Sequence, residues 1–130
     1  MTPADRILCA IDTPDLKAAT ALAETLSDTI GGVKLGKEFF TAQGPEGVRY
    51  IAQTGLKIFL DLKFHDIPNT VAGAVAAASA LNCFMLTIHA SGGSAMIRAA
   101  ADARGEGGPK IVAVTVLTSL GDDDLASIGQ

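Results

Sequence analysis

Tryptophan is absent from this 130-residue chain, and Tyr50 is its single tyrosine. Ten Lys and Arg residues are scattered among fourteen Asp and Glu, for a net charge of −4 and no basic run. Nucleic-acid binding usually needs a cationic stripe or an aromatic stacking platform, and the chain offers neither. An anionic ligand would have to be held by local lysines and backbone N–H groups, not by the overall field. No stretch reaches the ~18 uninterrupted apolar residues of a membrane span. The opening MTPADRILCAID has neither a basic leader nor a cleavage site, so no secretory signal is expected. Cysteine is scarce too: Cys9 and Cys83 lie in apolar runs, at a spacing that matches no metal motif. Reduced, buried thiols in a cytoplasmic protein are the simpler expectation, ahead of a disulfide.

What the chain does contain is alternation. With 48% hydrophobic and 18% charged residues it reads as one α/β domain over residues 1–130, with a single modest core. Strand-like runs fall at 7–11, 32–35, 57–62, 84–88 and 110–117. Leu16, Ala19, Leu22, Ala23 and Leu26 keep helical spacing after Thr13 and Pro14, predicting a helix over 15–26. Pro45 suits a first turn and Gly55 a position just past the end, predicting a second helix over 45–53. A third spans 68–81, a fourth follows the glycine turn at 91–93, and GDDDLASIGQ starts a fifth. The β-branched run 110–117 predicts a strand covered on both faces. Strand–helix alternation implies parallel β with right-handed crossovers.

Two architectures satisfy this pattern, an open doubly wound sheet or the first part of a (β/α)₈ TIM barrel. The first βα turn lacks GxGxxG, which weakens the dinucleotide-binding version. Charged residues stand instead near the ends of the first three strands: Asp12, Lys34, then Asp61 and Lys63. A barrel builds its active site from the ends of successive strands. The favoured fold is therefore the barrel, truncated to about five βα units.

The segment DLKFHDIPNT, residues 61–70, concentrates the chemistry. Alternation along a strand points Asp61 and Lys63 the same way, with Asp66 in the following loop. Fixed charges of both signs at a strand's carboxyl end are costly unless paired or used. A structural ion-pair network at a barrel rim is the plainer reading of this trio. Asp12 has the alternative of capping the first helix, Lys34 of being a solvated lysine, and Thr118 of being a turn residue. His65 is expected to pack or hydrogen-bond at the rim. His89 precedes a glycine turn that resembles an anion nest, although a structural role is favoured. Lys37 and Arg49 read as surface residues.

Five segments, AIDTPD (10–15), GVKLGKEFFTAQGP (32–45), FLDLKFHDIPNT (59–70), IHASGG (88–93) and VTVLTS (114–119), closely resemble the orotidine 5′-phosphate decarboxylase family. They occur in the family's order and at strand ends, and DxKxxDIPNT is the most specific. The resemblance implies a (β/α)₈ homodimer with active sites at the subunit interface. It also implies the last step of uridylate biosynthesis: orotidine 5′-phosphate loses CO₂ to give uridine 5′-phosphate (UMP), with no metal or organic cofactor. By that resemblance Asp12 binds the ribose, and Lys34 binds a ribose hydroxyl while pairing with Asp61. Lys63 donates the proton to C6. Asp66 comes from the neighbouring subunit and completes a Lys34–Asp61–Lys63–Asp66 array. Ile67 and Thr70 reach the ligand across the interface, and Thr118 contacts the pyrimidine.

A complete barrel typically needs about 250 residues, and the family's phosphate-gripping arginine and closing loop match nothing in this chain. Five strands would leave two unpaired edges, an aggregation hazard. The chain alone is therefore expected to be a weakly active or inactive part of an enzyme. One rival is a Mg²⁺-dependent sugar-phosphate decarboxylase or aldolase of the same superfamily, but Lys34 stands where such enzymes place an acidic ligand. The other is a non-catalytic half-barrel that has kept the charged residues.

Overall fold

The apolar runs form the strands of one parallel sheet in a computed structural model, which describes residues 2–129. The strands are β1 (Leu8–Ile11), β2 (Gly32–Gly36), β3 (Lys57–Phe64), β4 (Met85–His89) and β5 (Lys110–Val114). Helices α1 (Leu16–Leu26), α2 (Lys37–Ala52), α3 (Pro68–Ser79) and α4 (Gly93–Ala103) connect them, and α5 (Asp122–Ser127) follows. The strands lie side by side in chain order, β1-β2-β3-β4-β5, every pair parallel. A doubly wound sheet reverses its order at a switch point. This one never does, which is the arrangement of successive barrel strands.

Local chemistry sets the element boundaries. The Asp15 carboxylate accepts the Ala18 N–H at 2.7 Å and caps α1, supplying an acceptor for one of the unpaired N–H groups at a helix start. Asp12 is thereby free of that duty. Extended Ile67 hands the chain to Pro68 at the first turn of α3, where a missing N–H is no loss. Helix α2 begins earlier than the predicted 45: it starts at Lys37, breaks at Gly44 (φ 62°) and resumes through Pro45. Glycine takes that left-handed φ without a Cβ clash, and the first segment buries Phe39 in the core. In β2, a Cβ on Gly32 would strike the Lys57 carbonyl oxygen of β3, so the two strands meet there only because position 32 is bare.

The core lies between the sheet and its helices. Ile11, Leu35, Leu60, Leu86 and Ile88 from the strands meet Ala23, Val48, Ile51, Val75 and Met96 from α1 to α4, all fully buried. Small residues such as Ala19, Ala78 and Ala100 let the helices approach closely. Strand β5 departs from expectation. It ends at Val114, not 117, and most of it is exposed, with Val112 at 39%. Its β-branched run is therefore not buried on both faces.

Candidate active site

Strand β3 is irregular beside the charged residues Asp61 and Lys63. Leu60 pairs with Leu86 and Phe64 with Ile88, so β3 uses four residues where β4 uses two. The surplus is absorbed at Lys63, whose φ of 53° lies in the left-handed region, unusual for a residue with a Cβ. Regular alternation, expected through Asp61 and Lys63, therefore stops here. Thr87, opposite the bulge on β4, replaces the missing ladder contact: its Oγ1 accepts the Lys63 N–H at 2.8 Å and donates to Asp61 Oδ1 at 2.8 Å.

The side chains then form a chain of alternating charge. Lys63 Nζ donates to both Asp61 oxygens at 2.8 Å. Lys34 Nζ stands 3.6 Å from Asp61 Oδ2 and 3.5 Å from Asp12 Oδ1. Asp61 is the most enclosed member, its side chain 13% exposed against 70% for Asp12. Burial pushes the Asp61 carboxyl up, but hydrogen bonds from Lys63 and Thr87 and the charges of Lys63 and Lys34 outweigh it. The net result holds Asp61 below the ordinary carboxylate range. Asp12, Lys34, Asp61 and Lys63 line a cavity of about 180 Å³, with Phe39 and Ile11 as its apolar wall. Lys37, read as a surface residue, also lines it. A larger cavity of about 410 Å³ between α1 and α2 is lined by Leu16, Thr20 and Tyr50, and carries no comparable cluster.

Other expected residues stand apart from this cluster within the single chain. Asp66 lies in the turn before α3, exposed, its Oδ1 accepting the Ile67 N–H at 2.6 Å. Among the described residues it makes no ion pair with Lys63. Ile67 is 66% exposed and Thr70 is exposed in the first turn of α3. Thr118 sits exposed in a turn after β5 and does not line the 180 Å³ cavity. His65 and His89 face each other, ring centroids 5.4 Å apart, beyond the Lys63 bulge. Burial, then the charges of His65, Lys37 and Lys63, push His89 down from its ordinary range.

Two of the plainer readings do not survive this geometry: Asp15, not Asp12, caps α1, and Lys34 is paired with two carboxylates. Thr87 escaped sequence reasoning. Its only signal was a hydroxyl between Leu86 and Ile88 in an otherwise apolar strand, where such a group must find a partner.

Comparison with known proteins gives the geometry a lineage. The orotidine 5′-phosphate decarboxylase of Novosphingobium aromaticivorans is 54% identical over 123 residues, covering 95% of this chain and 54% of that protein. The enzyme of that name from Wolbachia sp. subsp. Brugia malayi is 50% identical, covering 95% of this chain and 55% of its own length. The crystal structure of orotidine 5′-phosphate decarboxylase from Lactobacillus acidophilus superposes with a TM-score of 0.81 at 38% identity, covering 94% of this chain and 58% of that one. The chain thus spans about half the length of the curated relatives it matches. Residues 5–130 match the orotidine 5′-phosphate decarboxylase / HUMPS family, and the chain belongs to it.

Proposed function

We propose that this site removes CO₂ from orotidine 5′-phosphate to give uridine 5′-phosphate, with Lys63 as the proton donor to C6. The observation that carries the proposal is the Lys63 ammonium, held 2.8 Å from both Asp61 oxygens at the wall of a cavity that Lys34 and Asp12 also line. Departure of CO₂ leaves an electron pair on C6 with little conjugation to spread it. A preorganised ammonium stabilises that charge as it develops and then supplies the proton. At about 4 Å and an effective dielectric near 20, one such charge pair is worth roughly 4 kcal/mol, or about three decades of rate. Slow uncatalysed reactions require more than that, so binding energy from the remote phosphate contributes as well.

Asp12 and Lys34 take the ribose hydroxyls, and Thr118 the pyrimidine. Asp66, Ile67 and Thr70 serve the site of a second subunit in a homodimer, an assignment supported by their exposure and by the separation of Asp66 from Lys63 within one chain. The reaction places the enzyme in uridylate biosynthesis in the cytoplasm. Asp61 also has a second role in this proposal, crowding the substrate carboxylate as it binds; Asp61→Ala with unchanged turnover but weaker substrate binding would count against that role. The Mg²⁺-dependent rival is disfavoured by Lys34, whose ammonium occupies the end of β2 between the only two carboxylates of the 180 Å³ cavity besides exposed Glu38.

The test is the loss of orotidine 5′-phosphate absorbance in the chain, alone and combined with a fragment supplying the further length of its relatives. Turnover that EDTA leaves intact and that Lys63→Met lowers by about three decades or more is expected. Full activity in Lys63→Met would refute the assignment.

A further inference from the structure

We infer that Thr87 is a positioning residue for this chemistry: its hydroxyl ties the Lys63 backbone to the Asp61 carboxylate and so fixes where the Lys63 ammonium stands. The inference rests on the proposed decarboxylation for its catalytic consequence, but on geometry alone for the tether.

Thr87 is the single polar side chain among the described residues that is buried, at 3% exposure. A threonine inside an apolar strand has no packing advantage over valine, and its hydroxyl must be satisfied. Both of its hydrogen bonds run to the site, one from the Lys63 N–H and one to Asp61 Oδ1. The Lys63 N–H needs that acceptor because the β3–β4 register slips by two residues between Leu60 and Phe64, and no ladder carbonyl is opposite it. Without the acceptor, a part-buried donor loses its partner at the one non-glycine residue of β3 with a left-handed φ, and the bulge relaxes.

The same hydroxyl acts on the carboxylate. Asp61 Oδ1 receives the Thr87 O–H on one side and the Lys63 ammonium on the other. A single atom thus fixes both ends of the Lys63 residue, its backbone directly and its ammonium through Asp61. Lys34 bears on the opposite oxygen only at 3.6 Å and cannot set the carboxylate plane by itself.

The experiment compares Thr87→Val, which keeps the shape and removes the hydroxyl, with Thr87→Ser, which keeps the hydroxyl. Two readouts are taken: the Asp61 carboxyl titration and Lys63 amide exchange by NMR in the chain itself, and kcat and KM with orotidine 5′-phosphate in the chain combined with the fragment that supplies the further length of its relatives. In Thr87→Val the Asp61 titration moves up, the Lys63 amide exchanges faster, and kcat falls on the order of a hundredfold, the scale of a misplacement near 1 Å, while KM changes little. Thr87→Ser follows the parent in all of these. Should the valine variant fail to fold, Thr87→Ala, which makes room instead of filling it, takes its place with the same expectations. A Thr87→Val (or Ala) protein with the parent's Asp61 titration and amide exchange overturns the tether, as does a serine variant equally perturbed. Absence of turnover in the parent combined with the fragment supplying the further length of its relatives refutes the decarboxylase reading alone, and the NMR comparison still decides the tether.

Discussion

Asp61 concentrates the electrostatic demands of the site on one carboxylate. Its folded-state pKa is depressed despite burial, through Lys63, Thr87 and Lys34. For a depressed carboxylate, the stabilisation is complete above the unfolded-state value, about 3.9, and is lost as pH falls through the lower folded value. Chemical denaturation of the chain from about pH 5 downward should show this loss. Asp61→Asn should remove that part of the pH dependence while lowering stability near neutrality by about 2 kcal/mol, the scale of hydrogen bonds to charged groups. An asparagine variant with the parent's acid profile would show that other carboxylates dominate it. The charged residues of this network were readable from their places at strand ends. Thr87 was not, because its importance depends on facing a bulge in the neighbouring strand, which spacing along one strand does not encode.

At the scale of the element, the bulge in β3 makes an unusual demand on backbone handedness. A Cβ at φ 53° costs on the order of 1 kcal/mol. Lys63→Ala and Lys63→Gly both delete the ammonium, yet only glycine relieves the backbone. The glycine variant should therefore be the more stable of the two by about 1 kcal/mol in urea unfolding, the reverse of the usual order in regular structure. An alanine variant of equal or greater stability would mean that Lys63 is not held left-handed in solution. Helix α2 shows the same limit on reading: the Pro45 signal located its second half, but the Lys37 start depended on Phe39 finding the core. Sequence reading located α1 and α3 well because the Thr13-Pro14 turn and apolar spacing marked the first, and Pro68 with its alanine-rich run the second.

Over the whole molecule, sequential strand order leaves β1 and β5 as edges. Parallel alternation was legible from the pattern, whereas the exposure of β5 was not, since a β-branched run looks the same with one face covered or two. Val112, Val116, Leu117 and Ile128 are each at least 39% exposed, and Val112 lies in β5 itself, an edge of the kind that invites strand addition. Sedimentation velocity should show concentration-dependent association of this chain, reduced in Val112→Lys; a parent that stays monomeric throughout would place the exposed surface outside any contact.

The two-residue surplus of β3 also bears on how the array is transplanted. A protein engineer who copied only Asp61 and Lys63 onto a regular barrel strand would obtain the right side chains on the wrong spacing. The unit to graft is a pair of strands, one with its slack and one with the hydroxyl that takes it up.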